Sequence, residues 1–175
     1  NMANYNILFS PTGGTKKVAD ILASNLFKDF ASIDLCREIN AQALCENDIC
    51  IVSVPSYGGR VPCIAIKRLQ MIKGNGAKAI LVAVFGNRVI DETLLELKDV
   101  STAAGFKPVA AIEAVAEHSL ARVHGAGRPD ADDEKELKSF AKQIFEKLDV
   151  LNGTALIVPG VRPFKEFKGS SAKPS

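Results

Sequence analysis

Apolar and polar positions along the chain follow two alternating patterns. Short runs that are almost continuously apolar predict β-strands buried on both faces of a sheet. These runs are residues 5–9 (YNILF), 49–54 (ICIVSV), 79–85 (AILVAVF) and 108–115 (PVAAIEAV), and a shorter, weaker strand is predicted at 32–35 (SIDL). Between the runs, apolar residues recur every three or four positions, which is the pattern of an amphipathic helix.

Four helices are predicted from this second pattern. The first places Val18, Ile21, Leu22 and Leu26 on one face. The second has Pro62 in its first turn, and Asp91 is expected to cap the third. The last has an apolar stripe over residues 137–148, and the acidic side chains expected at its positive end are Asp130, Asp132, Asp133 and Glu134.

The alternation of strands and helices predicts an α/β fold with three layers, in which helices cover both faces of a doubly wound, five-stranded parallel sheet. With five strands, the order 2-1-3-4-5 is favoured. We expect one domain over residues 4–150. Residues 151–175 are rich in proline, glycine and lysine and lack periodicity, so they are expected to form an irregular C-terminal extension.

Composition and charge exclude several classes of function. The chain has 175 residues, 47% of them hydrophobic, and a net charge of +2, which is too small to indicate a nucleic-acid-binding protein. The four cysteines form no C-x-x-C pair, so no metal site is predicted. No segment is long and apolar enough for a membrane span, and no signal peptide is evident, so we expect a cytoplasmic protein with reduced thiols.

Three loops with unusual chemistry follow the predicted strands. In a doubly wound sheet, ligands bind beyond the carboxyl ends of the strands, where the strand order reverses. The loops expected there are residues 10–15 (SPTGGT), 55–62 (PSYGGRVP) and 86–91 (GNRVID). The first precedes a helix and combines three hydroxyl groups with two glycines, which favours a phosphate monoester over a simple helix cap. Neither the Walker A spacing nor G-x-G-x-x-G is present.

The motif of the first loop resembles the phosphate loop of flavodoxins, [ST]-x-T-G-x-T. Together with VPSYGGRVP, FGNR and AEHS, it makes residues 4 to about 165 similar to the flavodoxin domain of flavodoxin–ferredoxin fusion proteins. The resemblance implies the flavodoxin-like fold, and FMN as the cofactor. No cysteine follows Cys63, so the iron–sulfur part of such fusions is missing, and the chain is expected to be either a piece of a fusion or a stand-alone flavodoxin-like protein.

The resemblance assigns the first loop to the FMN phosphate and the other two loops to the isoalloxazine ring. Tyr57 is one of only two tyrosines and can stack on a flat ring, although it could instead pack on a neighbouring loop. Asn87 can offer a donor and an acceptor to the ring edge, or cap a turn. The expected cofactor-binding residues are Ser10, Thr12, Gly13, Gly14, Thr15, Pro55, Ser56, Tyr57, Gly58, Gly59, Gly86, Asn87 and Arg88.

Charged residues around these loops suggest a rim to the site. Arg60 and Arg88 come from separate loops and predict a positive rim for an acidic partner or an anionic substrate. His118 follows the fifth strand and can approach the site, although a local loop contact is the preferred interpretation. His124 is expected to be an ordinary loop residue.

Two functions remain open from the sequence. The first is an FMN-binding electron-transfer protein that works with a redox partner protein, for which a ferredoxin-type iron–sulfur module is one candidate. No catalytic nucleophile and base are evident, which favours this carrier role. The alternative is an FMN-dependent NAD(P)H:acceptor oxidoreductase of the quinone type, in which Arg60, Arg88 and His118 would contact the nucleotide or the substrate.

Overall fold

Three helices in the described residues lie where the apolar pattern predicts them, but no helix separates the second predicted strand from the third. The computed structural model describes residues 2–86, 92–116, 121–125 and 128–133, the last two ranges by their backbone only, together with residues 142, 144 and 158. In chain order, the elements are β1 (Asn4–Leu8), α1 (Gly14–Leu26), β2 (Ala31–Asp34), β3 (Gln42–Ala43), β4 (Ile49–Pro55), α2 (Cys63–Leu69), β5 (Ile72–Lys73), β6 (Lys78–Phe85), α3 (Thr93–Ala103), β7 (Lys107–Val115), β8 (Ala121–Gly125) and β9 (Arg128–Asp133).

Five of these strands form a parallel sheet in the order β2-β1-β4-β6-β7. Numbered among the five predicted strands, this order is 2-1-3-4-5, so the predicted fold class and the order of the parallel strands are confirmed. The predicted number of strands is too small, because β8 and β9 extend the sheet beyond β7 to seven strands. Successive strands are added to one side of β1 and then to the other, so the strand order reverses between β1 and β4. The loops that follow these two strands therefore leave a crevice at the carboxyl edge of the sheet. The described residues also include a small separate sheet, in which β3 pairs with β5.

Alternating side chains of the central strands pack against two apolar layers. On β6, Leu81 and Ala83 belong to the layer that contacts α2 and α3, whereas Ile80 and Val82 belong to the layer under α1. Because successive strand residues point to opposite faces, a strand buried on both sides must be apolar at nearly every position. This requirement explains the continuous apolar runs in the sequence and confirms the three-layer architecture.

The carboxyl-terminal part of the sheet corrects two predictions. His124 was expected in a loop, but it lies in β8, which pairs antiparallel with β7. The acidic residues Asp130, Asp132 and Asp133 were expected at the start of the last helix, but they lie in β9, the edge strand of this sheet. An edge strand tolerates a proline, here Pro129, and needs no apolar alternation, so the sequence pattern of β9 does not resemble that of a strand.

Isolated residues further along the chain are also part of the core. Ile144 is helical and packs in the layer under α1, in agreement with the predicted apolar stripe of the last helix. Val158 is buried in the other layer, although it lies beyond the predicted end of the domain at residue 150. No helix within the described ranges has the length and apolar character needed to cross a membrane.

Candidate functional site

The first two predicted loops meet at the carboxyl edge of the parallel sheet. The backbone N–H of Ser10, at the start of the first loop, donates to the Sγ of Cys36, which follows β2, at an N–S distance of 3.3 Å. Cys36 is in turn near enough to Tyr57 of the second loop to influence its ionisation. On the other side, a Cβ atom on Gly14 would lie 3.7 Å from the Cβ of Ala116, which follows β7. The first loop therefore lies between the ends of β2 and β7.

The first loop turns sharply into α1. Gly13 adopts a left-handed conformation with φ of 92°, which strongly favours glycine, and the first helical hydrogen bond runs from the N–H of Lys17 to its carbonyl. The hydroxyl oxygen of Ser10 accepts the N–H of Lys16 at 2.8 Å. Ser10 thus satisfies one of the free N–H groups at the helix start, and its own hydroxyl hydrogen remains available for a ligand.

The first loop also supplies consecutive backbone donors at the start of α1. Within the residues that the structure describes, no acceptor lies opposite the N–H groups of Thr12, Gly13, Gly14 and Thr15. These groups stand at the positive end of the 13-residue helix α1. Free N–H groups at a helix N-terminus form a ready site for an anion, because the partial charges of the aligned peptides add to the hydrogen bonds.

Side chains around these donors add further polar groups. Thr15 is buried and Thr12 is exposed, and neither hydroxyl has a hydrogen-bond partner among the described residues. The ammonium group of Lys16 forms an ion pair with Asp20 one turn along the helix, whereas Lys17 is exposed. This donor set of backbone N–H groups and hydroxyls, without a carboxylate in the loop itself, fits a phosphate group.

The second loop contains a tight hairpin turn. Tyr57 and Arg60 exchange two backbone hydrogen bonds, each 3.0 Å long, across Gly58 and Gly59. Both glycines have positive φ, 58° and 81°, which is the signature of a type I′ turn and explains the Gly-Gly pair. Gly58 is exposed and open space surrounds its Cβ position, so the tip of the turn is accessible to a ligand.

Glu96 of α3 binds the far side of this turn. Its carboxylate accepts from the Nε of Arg60 at 2.9 Å, from the Nη2 at 2.5 Å and from the backbone N–H of Val61 at 2.7 Å. The guanidinium of Arg60 is therefore paired with a buried carboxylate from 36 residues away, whereas Arg88, the other arginine of the predicted positive rim, lies outside the described residues. A second contact joins the same loop to α3, because the hydroxyls of Ser56 and Thr93 lie 2.7 Å apart.

Tyr57 of the second loop and Cys36, which follows β2, are both half-buried. Tyr57 packs against the apolar layer that contacts α2 and α3. Burial raises the pKa of Tyr57 above its ordinary value, and the charge of the nearby Cys36 adds a smaller effect in the same direction. Burial also raises the pKa of the Cys36 thiol, and the charge of Asp34 adds to this effect, whereas the hydrogen bond from Ser10 opposes it.

The third loop is described only at its first residue. Gly86 is exposed at the end of β6, with open space around its Cβ position. Asn87, Arg88, Asp91 and His118 lie outside the described residues, and the observed N-cap of α3 is Glu92 rather than Asp91. Among the described residues, no group of three or more His, Cys, Asp or Glu side chains is placed to hold a metal ion.

Three residues of this site were missed by sequence reasoning. Cys36, Thr93 and Glu96 contact the predicted loops from the segment after β2 and from the first turn of α3. Thr93 and Glu96 did carry a signal, because they are polar residues among Leu94, Leu95 and Leu97 in a helix whose first turn is buried. A buried polar side chain requires a partner, and here that partner is the second loop.

Comparison with known proteins supports this architecture. No protein-family profile and no curated protein sequence matches the chain. Among solved structures, a flavodoxin from Streptococcus pneumoniae TIGR4 matches with a TM-score of 0.54 and 22% identity, covering 86% of this chain and 99% of that one. Flavodoxin 1 from Bacillus cereus matches with a TM-score of 0.56 and 16% identity, covering 83% and 98%.

An enzyme has a similar structure. An NADH:FMN oxidoreductase in its apo form matches with a TM-score of 0.58 and 15% identity, covering 86% of this chain and 88% of that one. Sequence identities of this size establish architecture alone, and the architecture agrees with the observed strand order. The chain has the flavodoxin-like fold.

Proposed function

We propose that the chain binds FMN non-covalently and acts as an electron-transfer flavoprotein. The observation that carries this proposal is the row of four N–H groups, from Thr12 to Thr15 at the start of α1, that have no acceptor among the described residues. A phosphate monoester supplies several negatively charged oxygens, and each can accept one or more of these hydrogen bonds. The two threonine hydroxyls extend the same donor set.

The residues predicted to bind the cofactor would contact its two ends, the phosphate and the isoalloxazine ring. Ser10, Thr12, Gly13, Gly14 and Thr15 would hold the phosphate. The residues that would contact the isoalloxazine ring are Pro55, Ser56, Tyr57, Gly58, Gly59, Gly86, Asn87 and Arg88, with Arg60 and His118 at the rim. Bound FMN supplies the one- and two-electron chemistry, while the protein binds the cofactor, orients it and controls access of water.

The proposed partner is a second redox protein. A carrier needs a donor and an acceptor, and the resemblance in sequence suggests a ferredoxin-type iron–sulfur module as one of them. The flavodoxins with similar structures have the same fold, which is consistent with this role. We propose a carrier rather than an enzyme because the described loops contain no pair of nucleophile and base.

The second candidate is an FMN-dependent NAD(P)H:acceptor oxidoreductase. One protein of similar structure is an NADH:FMN oxidoreductase, which favours this candidate. The two roles differ in one measurable property, because only the enzyme takes hydride from a nicotinamide. Steady-state oxidation of NADH and NADPH by the FMN-loaded protein, with a quinone as acceptor, therefore separates them. Turnover well above that of free FMN would replace the carrier role with the enzymatic one.

Titration of the purified apoprotein with FMN tests cofactor binding. FMN fluorescence and the visible absorption bands should change with saturation at one FMN per chain. We expect a dissociation constant at or below about 1 μM, which corresponds to a binding free energy of about −8 kcal/mol. A protein that leaves both spectra unchanged at tens of micromolar FMN would refute the proposal.

A further inference from the structure

The carboxylate of Glu96 accepts three hydrogen bonds from the second loop. Its side chain is only 5% exposed, and it belongs to the first turn of α3 rather than to any of the three loops. It receives one hydrogen bond from the backbone N–H of Val61 and two from the guanidinium group of Arg60, whose side chain is 22% exposed. A carboxylate is stable in a buried position when its charge is paired and its oxygens accept hydrogen bonds, and among the described residues Arg60 and Val61 supply both.

The geometry determines which part of the loop can move. Arg60 and Val61 form the outgoing end of the hairpin turn, and Glu96 contacts both of them. Ser56 lies at the incoming end and contacts Thr93, which is one helical turn before Glu96 on the same face of α3. The two ends are therefore held by one rigid surface, and the peptide between Gly58 and Gly59 is left at the free tip.

We propose that Glu96 is a positioning residue that fixes the turn formed by residues 57–60, and with it the ring side of the flavin site. This inference rests on the proposed function for its consequence in binding. Fixing the base of the turn keeps Tyr57 and the exposed Gly58 peptide in place before the ligand arrives, which reduces the entropy lost on binding. The phosphate side of the site, on α1, has no contact with Glu96 and should be independent of it.

The contact with Glu96 also affects the guanidinium group of Arg60. The hydrogen bonds and charge of Glu96 raise the pKa of Arg60 above its ordinary value. A planar guanidinium can bind the carboxylate with two N–H groups at once, which an ammonium group cannot do. Arg60→Lys should therefore restore the charge lost in Arg60→Gln without restoring the position of the turn.

Amide hydrogen exchange on the apoprotein tests the positioning without any cofactor. In Glu96→Gln, the amides within residues 57–61 that donate hydrogen bonds, those of Tyr57, Arg60 and Val61, should exchange about 10- to 100-fold faster, which is the equivalent of losing one hydrogen bond to a charged group. The amides of α1 should be unchanged. Arg37→Gln is the matched control, since it breaks an exposed ion pair with Asp34 and should leave residues 57–61 unaffected.

Ligand binding tests the functional consequence. Glu96→Gln should weaken FMN by about 10-fold or more, and shift the midpoint potential of bound FMN, while inorganic phosphate protects the apoprotein of variant and parent equally. A merely structural role would lower the melting temperature and leave the affinity ratio of FMN to phosphate unchanged. A Glu96→Gln/Arg60→Gln double variant should lose little more affinity than either single variant, because both remove the same contact.

The outcomes separate this inference from the proposed function. Unchanged exchange at residues 57–61 in Glu96→Gln overturns the inference, as does faster exchange with an unchanged affinity for FMN. If the parent protein binds no FMN, the proposed function fails, and the exchange data alone decide whether Glu96 fixes the turn. Faster exchange confined to residues 57–61, with weaker FMN and unchanged phosphate binding, supports both.

Discussion

The backbone N–H of Ser10 donates a hydrogen bond to the thiol sulfur of Cys36 at 3.3 Å. This contact joins the start of the first loop to the segment that follows β2, and it places a half-buried thiol at the edge of the proposed phosphate site. Burial raises the pKa of this thiol, so it carries less thiolate at a given pH than an exposed cysteine does.

The four cysteines should therefore react with a thiol reagent in three classes. Exposed Cys45 and Cys63 should react first and Cys36 more slowly, whereas buried Cys50 should react only on unfolding, because burial raises its pKa strongly. The rate at Cys36 should continue to rise to a higher pH than the rate of a cysteine in a short peptide, because the raised pKa of Cys36 delays formation of its thiolate. Mass spectrometry of partially alkylated protein measures this order. Equal rates at Cys36 and Cys63 across the pH range would contradict it.

Gly74 should be intolerant of any side chain. A Cβ atom there would lie 2.4 Å from the backbone nitrogen of Phe106, where β5 meets the turn after α3. Because the contact is with backbone, it cannot be relieved by a rotamer change, and Gly74→Ala should cost about 1–3 kcal/mol of unfolding free energy or more. Gly86→Ala is the control, since nothing lies within 4 Å of that Cβ position. Urea denaturation of both variants measures the difference, and equal midpoints would show that Gly74 is not constrained.

Much of this fold could be predicted from the sequence because its central strands are buried on both faces. The run at 79–85 predicted β6 to within one residue, and the count of five apolar strands favoured the order 2-1-3-4-5. The hairpin of β8 and β9 could not be predicted in the same way. The sequence RPDADD of β9 is polar, and at the edge of a sheet its pairing depends on backbone hydrogen bonds rather than on an apolar pattern.

The same distinction applies to the candidate site, where features carried by consecutive residues could be predicted and contacts between distant residues could not. The first loop was predictable because a glycine-rich, hydroxyl-rich turn into a helix has its chemistry in consecutive residues. The ion pair of Arg60 and Glu96 was not predictable, since 36 residues separate the partners and only the packing of α3 beside the second loop brings them together. The charge that Arg60 was expected to bring to the rim is therefore offset by a partner that the sequence pattern does not reveal.

The predicted domain boundary can be tested with two changes near the carboxyl end. Val158 is buried in the core, so Val158→Ala should lower the unfolding free energy by about 1–3 kcal/mol. A chain ending at residue 160 keeps Val158 and should unfold at the same denaturant concentration as the parent, with FMN binding intact. Loss of stability on this truncation would show that residues beyond 160 contribute to the core.

The central claim is that the first loop holds the phosphate of FMN, and the difference in affinity between FMN and riboflavin tests it most directly. Thr15→Val removes a hydroxyl and keeps the side-chain shape, so it should weaken FMN by about 1–3 kcal/mol, the cost of losing a hydrogen bond to a charged group. Riboflavin, which lacks the phosphate, should bind parent and variant equally. Thr102→Val, an exposed change in α3, is the control and should alter neither affinity. Fluorescence titrations of the three proteins with both ligands give the result: a loss confined to FMN in Thr15→Val is predicted, and equal losses for FMN and riboflavin would contradict the account.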